Sequence, residues 1–193
     1  LQYVICTNLT LLDNSMLNFI RQYPVYLSIS LDGPQHLHDM DRPLLEGSSS
    51  HSILIKKLEL ARNILGYDKI SALLTVNQNN ISLLRDVIDE YRLLKFHSIF
   101  IRSINPYGRA LANNSYTIDE FIWRYEEALD YIIEINQNGY FLIEERCLIL
   151  LKKILTPYDS GFVDIQSPSG CGISCALYNY NGNIFVSDEG RML

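Results

Sequence analysis

Basic residues are in short supply in this chain: 16 Lys and Arg stand against 22 Asp and Glu, for a net charge of −6. Nucleic-acid phosphates are held by clustered Lys and Arg, so this balance argues against a general nucleic-acid partner. Long apolar runs are missing too. None approaches the roughly 20 residues that a membrane helix needs, and no signal peptide is visible, so no membrane partner is expected. Cysteine is scarce. Cys6, Cys147, Cys171 and Cys175 are too few and too scattered for a disulfide framework, which makes a reducing cytoplasm the default compartment. There is no low-complexity tract. What is present is a chain of 193 residues, 48% of them hydrophobic, enough for one well-cored domain with a small appendage. It opens at Leu1 directly into a strand and stops at Leu193 just after a hairpin, so an internal fragment of a longer protein is expected.

Through Val25–Leu31 the apolar Val25, Leu27, Ile29 and Leu31 alternate with Tyr26, Ser28 and Ser30, a spacing that predicts a strand. Asp32-Gly33-Pro34 stops it. A polar loop with His36, His38, Asp39, Asp41 and Arg42 is expected behind it. Other strands are predicted at Tyr3–Cys6, Ile70–Val76 and Ser98–Ile104. Helices are predicted from an Asp13 cap to about Gln22, over Ser52–Leu65 with Gly66 as the stop, and from an Asn80 cap to Leu94. A capping box of Thr117 and Glu120 opens a long helix ending near Gly139, and Glu144–Leu155 forms another. Strand and helix alternate four times, the rhythm of a parallel β/α sheet or barrel. Ala176–Val186 alternates around Asn181-Gly182, a hairpin signal. The predicted organisation is α/β: a partial parallel barrel over residues 1–157, a linker over 158–170, and the start of a small module over 171–193.

In such folds ligands gather at the carboxyl ends of the strands. The loop after the Val25–Leu31 strand is therefore the first candidate for a site. Ser30 either faces a ligand or caps a turn, and Arg42 either holds an anion or lies on a solvated loop. Asp32 either joins the site or closes an Asx turn with Gly33. Thr7 and Asn8, at the end of the first strand, share the same rim and serve either a ligand or the start of the next helix. Ile104 ends the last strand, where core packing explains an isoleucine equally well. His36 and His38, two apart with no distant third ligand evident, are expected to point into water rather than at a metal. Cys6, in a strand, and Cys147, beside Leu148, Leu151 and Ile154 on a helix face, are expected as buried packing residues.

The segment from Ser30 through Pro34, Ser-Leu-Asp-Gly-Pro, followed by His38-Asp39 and Arg42, resembles the fourth strand and following loop of radical S-adenosylmethionine (SAM) enzymes. The closest branch is the peptide- and protein-modifying one with a cysteine-rich SPASM extension, which includes the anaerobic sulfatase-maturating enzymes. Thr7-Asn8-Leu9-Thr10-Leu11-Leu12 resembles that family's Thr-Asn-Gly-Thr-Leu turn, with Leu9 in the usual Gly position. Gly170-Cys171-Gly172 and the run from Tyr178 to Leu193 resemble the start of the extension. The closing Asp-Glu-Gly-Arg-Met-Leu is most similar to maturases of His-Xaa-Ser repeat peptide systems.

The resemblance implies a TIM-like partial barrel whose rim contacts SAM. Ser30 would meet the ribose, Arg42 the methionine carboxylate through two parallel hydrogen bonds, and Ile104 the adenosine, with Asp32, Thr7 and Asn8 beside them. Cys171 and Cys175 would ligate an auxiliary iron–sulfur cluster, although Ser187 stands where the extension's next cysteine falls. In the intact parent it implies reductive cleavage of SAM to a 5′-deoxyadenosyl radical, a peptide or protein substrate, and a reductant protein. That chemistry uses a [4Fe–4S] cluster on a CxxxCxxC loop, a spacing these four cysteines do not offer, so the chain alone is expected to be inactive. Two other readings stand beside this one: a metal-dependent β/α-barrel hydrolase or isomerase, and a non-catalytic domain that binds a peptide by strand addition.

Overall fold

Alternating strands and helices wind into a five-stranded parallel sheet of order β1-β2-β3-β4-β5. The computed structural model describes residues 2–105, 116–160, 162, 172–173, 176–187 and 190–191. The chain divides into two units, Leu1–Glu145 and Arg146–Leu193.

In the first unit the strands are β1 (Tyr3–Thr7), β2 (Val25–Ser30), β3 (Ile70–Val76), β4 (Ser98–Ser103) and the short β5 (Ile143–Glu144). The helices are α1 (Asn14–Ile20), α2 (Gln35–Asp41), α3 (Ser50–Leu65), α4 (Leu84–Leu93) and α5 (Ile118–Gln137). Asp13 caps α1 by accepting the Met16 N–H at 2.8 Å, and Thr117 caps α5 by accepting the Glu120 N–H at 3.1 Å, as the sequence predicts. Among the described residues the sheet does not close, and β1 and β5 form its two edges.

Period-two alternation gives each strand two unlike faces. Leu27, Ile29, Leu74, Val76, Ile99 and Ile101 are buried in one core with Leu17 of α1, Leu54 and Leu58 of α3, Val87 and Ile88 of α4 and Ile132 of α5. Each such side chain contributes about 1.5–3 kcal/mol when fully removed from water. The opposite face, carrying Ser28, Ser30, Leu73, Thr75, Phe100 and Arg102, is only half-buried. We call it the open face. Fully buried Tyr91 donates its hydroxyl to the Leu31 carbonyl at 3.0 Å, so the end of β2 is tied to α4 and the phenol is not left unsatisfied.

Four local expectations are corrected. Asn80 does not cap α4: its buried amide accepts the Asn77 N–H at 2.9 Å and donates to the Thr75 carbonyl at 3.0 Å, and a 3-10 turn over Ile81–Leu83 precedes the helix. Glu144 is not helical but pairs with β4 as a strand residue, because its buried carboxylate is engaged by the Ile101 N–H and the Tyr125 hydroxyl. Cys6 is exposed, because β1 is an edge strand with Tyr3, Val4 and Ile5 exposed around it. Cys147 is only half-buried, and Leu148, Leu151 and Ile154 on the same helix are exposed. Helical spacing identifies a face, not its burial.

In the second unit α6 (Glu145–Leu155), which starts on the last residue of the first, precedes an antiparallel hairpin of β6 (Leu177–Tyr178) and β7 (Ile184–Phe185). Its turn forms where Asn181-Gly182 predicts it, with Gly182 at φ +84. No helix among the described residues is long and apolar enough to cross a membrane.

Candidate functional site

Parallel strands bring Thr7, Ser30, Val76 and Ser103 to one rim of the sheet, the carboxyl end. The segment after β2 is where this rim is most elaborately built. Gly33 adopts φ +127, and a Cβ there would lie 2.9 Å from Val87 Cγ2, so the turn packs directly against α4. The expected polar loop is instead helix α2. Its Leu37 and His38 are buried, an anchorage that a loop of exposed polar groups would lack.

Asp32 lies at the centre. Its carboxylate accepts Arg42 Nε at 2.5 Å and Nη2 at 3.3 Å, and also the Thr75 N–H at 3.2 Å. These bonds replace the Asx-turn alternative. Its own N–H donates to His38 Nδ1 at 3.3 Å. The Asp32 side chain is 3% exposed and that of Arg42 32%. His38 therefore does not point into water. Burial pushes its pKa down from 6.5 to about 4, against the opposing pull of Asp32, and the imidazole is a neutral acceptor at neutral pH.

The other polar residues of this segment are engaged as well. Asp39 accepts Ser50 Oγ at 3.0 Å and the His51 N–H at 2.8 Å, seating the first turn of α3. Asp41 accepts the side-chain amides of Asn77 at 2.6 Å and Asn79 at 2.7 Å, tying α2 to the loop after β3. His51 pairs with Glu90 at 2.8 Å, while His36 is exposed. No three His, Cys, Asp or Glu residues converge as a metal site among the described residues.

At the end of β1, Thr7 Oγ1 accepts the Leu9 N–H at 3.0 Å, and Asn8 Oδ1 accepts the Thr10 N–H at 3.2 Å and its hydroxyl at 2.8 Å. Leu9, buried, holds φ +62, the left-handed conformation suited to glycine. Ser30 is half-buried, and its hydroxyl makes no hydrogen bond to another described residue. Ile104 donates its N–H to the Val76 carbonyl at 3.1 Å and to Tyr116 Oη at 3.0 Å. Thr7, Asn8, Ser30, Asp32, Arg42 and Ile104 therefore share the rim, and Asp32 and Arg42 are in direct contact. Cys171 and Cys175 lie outside the described residues.

Sequence reasoning missed Arg102. It stands one residue from the end of β4, opposite Thr75 of β3, on the open face. Its signal was parity: the buried Ile99 and Ile101 leave Phe100 and Arg102 on the other side of the strand.

No protein-family model matches the chain. An uncharacterized protein of Synechocystis sp. is 35% identical over 68 residues, which is 35% of this chain and 17% of that protein. Among solved structures, native anSMEcpe with bound AdoMet superposes with a TM-score of 0.70 at 21% identity, over 80% of this chain and 42% of that one. Native anSMEcpe with bound AdoMet and Cp18Cys peptide gives 0.72 at 20% identity, over 92% and 47%. With Kp18Cys peptide the values are 0.75 and 19%, over 97% and 51%. The chain thus spans about half the length of these structures or less, and over that span it shares their fold.

Proposed function

We propose that this chain is the SAM-binding part of a radical SAM maturase that acts on a peptide or protein. The observation that carries the reading is the fold, shared across 97% of the chain with an anSMEcpe structure holding AdoMet and a peptide. The open face supports it: Ser30 offers a hydroxyl, Leu73 and Phe100 an apolar bed, and Arg102 a cation with no carboxylate partner among the described residues. A nucleoside with a charged amino-acid tail needs these groups. On this reading Ser30 meets the ribose, Thr7, Asn8 and Ile104 shape the rim around the adenosine, and the Asp32–Arg42 pair forms the wall behind it. Reductive cleavage of SAM supplies a 5′-deoxyadenosyl radical, able to take hydrogen from a peptide. The chain's own residues bind and orient the cosubstrate.

The cysteines present do not fit the cluster such cleavage requires. Cys6, Cys147, Cys171 and Cys175 offer no CxxxCxxC spacing, so on this reading those ligands, and the activity, belong to a larger parent. Cys171 and Cys175 start a SPASM-like module over 171–193 and are proposed as auxiliary-cluster ligands, after a barrel part over 1–157 and a linker. A reductant protein and a cytoplasmic setting belong to the same reading. The hydrolase alternative draws less support, because of its loop histidines His38 is hydrogen-bonded within the fold and only His36 is exposed.

Equilibrium dialysis of the chain against radiolabelled SAM tests the proposal. Saturable binding that weakens in Ser30→Ala supports it, and no binding at millimolar SAM refutes it. One observation favours strand addition as a second reading: among the described residues β1 is an edge strand of the sheet, beside an apolar groove of about 490 Å³ lined by Ile5, Leu11, Met16 and Phe19. Amide protection of Tyr3–Thr7 on addition of an extended peptide would support it.

A further inference from the structure

Among the described residues β1 is an edge of the sheet, and its register with β2 runs unbroken from Tyr3 to Thr7. Tyr3 gives its N–H to the Pro24 carbonyl on the β2 side. Alternation then turns the backbone N–H and C=O of Val4 outward, where another strand can meet them. The opposite edge, β5, is 2 residues long and offers far less ladder. The devices that blunt exposed edges are lacking here: residues 1–12 contain no charged residue and no proline, and the strand has no bulge.

The surface along this edge is apolar. Tyr3, Val4 and Ile5 are exposed, and beside them Leu11, Met16 and Phe19 line the groove between β1 and α1. Taking about 150–250 Å² for each residue when fully exposed, their uncovered parts come to roughly 600–700 Å², close to the roughly 800 Å² each partner buries in a stable complex. An isologous contact sets a patch against its own copy, so a charged strand would repel itself and an uncharged one does not. A two-fold axis normal to the sheet runs two β1 strands antiparallel and keeps both α1 helices on one side. Each α1 is then antiparallel to its copy, and the exposed Asp13 at the start of one meets the exposed Arg21 at the end of the other. The charges at the two ends of the seam are complementary.

We propose that β1 is the seam of a homodimer, in which two copies pair these strands antiparallel and join their sheets into one. A second copy suits the edge better than an unrelated strand, because it is uncharged where the groove is apolar and brings the exposed flank of its own α1 with it. The inference names the partner for the strand-addition reading above and stands apart from the SAM reading.

Sedimentation equilibrium of the chain under reducing conditions, from low micromolar to submillimolar concentration, should show a reversible monomer–dimer equilibrium. Val4→Lys sets like charges together on the seam, and Phe19→Lys does so beside it. Each should weaken the dimer at least about tenfold, since every substitution acts twice. Leu93→Lys, at an exposed leucine on α4, should leave it unchanged, and circular dichroism confirms that the variants fold. Arg21→Glu should weaken it by about twofold to tenfold, by turning two attractive pairs into repulsive ones. Hydrogen exchange followed by NMR should show the Val4 amide protected in the dimer and released on dilution. The inference falls if the chain stays monomeric or grows beyond a dimer, if Val4→Lys or Phe19→Lys leaves the dimer intact, or if Arg21→Glu does not weaken it. It falls equally if the Val4 amide exchanges alike at every concentration. Strand addition survives that failure if an uncharged Thr-Val-Thr-Val-Thr peptide protects the Val4 amide of the monomer, and falls with it if the peptide does not.

Discussion

The Asp32–Arg42 pair makes an asymmetric prediction. Its partners differ in exposure, 3% for the Asp32 side chain and 32% for that of Arg42. Arg42→Met strands a carboxylate in the interior with only the Thr75 N–H to satisfy it. Breaking a fully buried pair in that way costs about 3–5 kcal/mol, and the exposed end of Arg42 lowers the expectation to about 2–4 kcal/mol. Asp32→Asn does the reverse. The guanidinium turns into water, and the amide oxygen still accepts the Thr75 N–H, so the cost is about 1 kcal/mol. The double variant Asp32→Asn/Arg42→Met leaves no buried charge and should be more stable than Arg42→Met alone. Urea unfolding of the four proteins at pH 7, followed by circular dichroism, measures the cycle. Equal losses in the two single variants, or a double variant that loses their sum, would refute the idea that a buried carboxylate is what the pair neutralises.

Three further outcomes are expected. His38 titrates near 4 when folded and near 6.5 when unfolded, so between those values the unfolded chain binds a proton that the folded one excludes. Its contribution, on the order of 3 kcal/mol, is complete above about pH 6.5 and is lost as pH falls toward 4; His38→Asn, which keeps an acceptor near Nδ1, should flatten the stability–pH profile over that window. Gly33→Ala should cost about 2–4 kcal/mol, from its φ of +127 and the 2.9 Å approach to Val87 Cγ2, and Val87→Ala should relieve only the steric share in thermal denaturation. Leu9→Gly should destabilise by about 1–3 kcal/mol despite its φ of +62, because losing a fully buried leucine outweighs the roughly 1 kcal/mol of relieved backbone strain; a more stable variant would show that the conformation dominates.

The regular elements were legible because their signals are local. Alternation placed β2 and β3 to within a residue, and Asp13 and Thr117 cap the helices they precede. What failed depended on distant partners. Asn80 looks like a cap because asparagine favours caps, yet its amide is drawn to the Thr75 carbonyl and the Asn77 N–H. Glu144 looks like the first residue of a helix, but its carboxylate bonds the Ile101 N–H, 43 positions away in sequence. Cys6 looks buried because strands usually are, and only the strand order reveals that β1 is an edge.

The rim was legible in position and much less so in use. Thr7, Asn8, Ser30 and Ile104 fall where strand ends predict, since a parallel sheet fixes which end every strand presents. Composition cannot show which polar groups already serve one another. His38, Asp39 and Asp41 are each committed to a protein partner, so the segment richest in titratable groups is scaffold: it pins α2 against β2, β3 and α3. The groups left over lie on the plainer open face, where Ser30 and Arg102 interrupt an otherwise ordinary strand pattern. Charge at a half-buried strand position, without a partner of opposite sign among the described residues, points to a ligand more strongly than a cluster of polar residues that satisfy one another. On that argument the proposed ligand is to be sought over β2–β4, with α2 as the scaffold beside it.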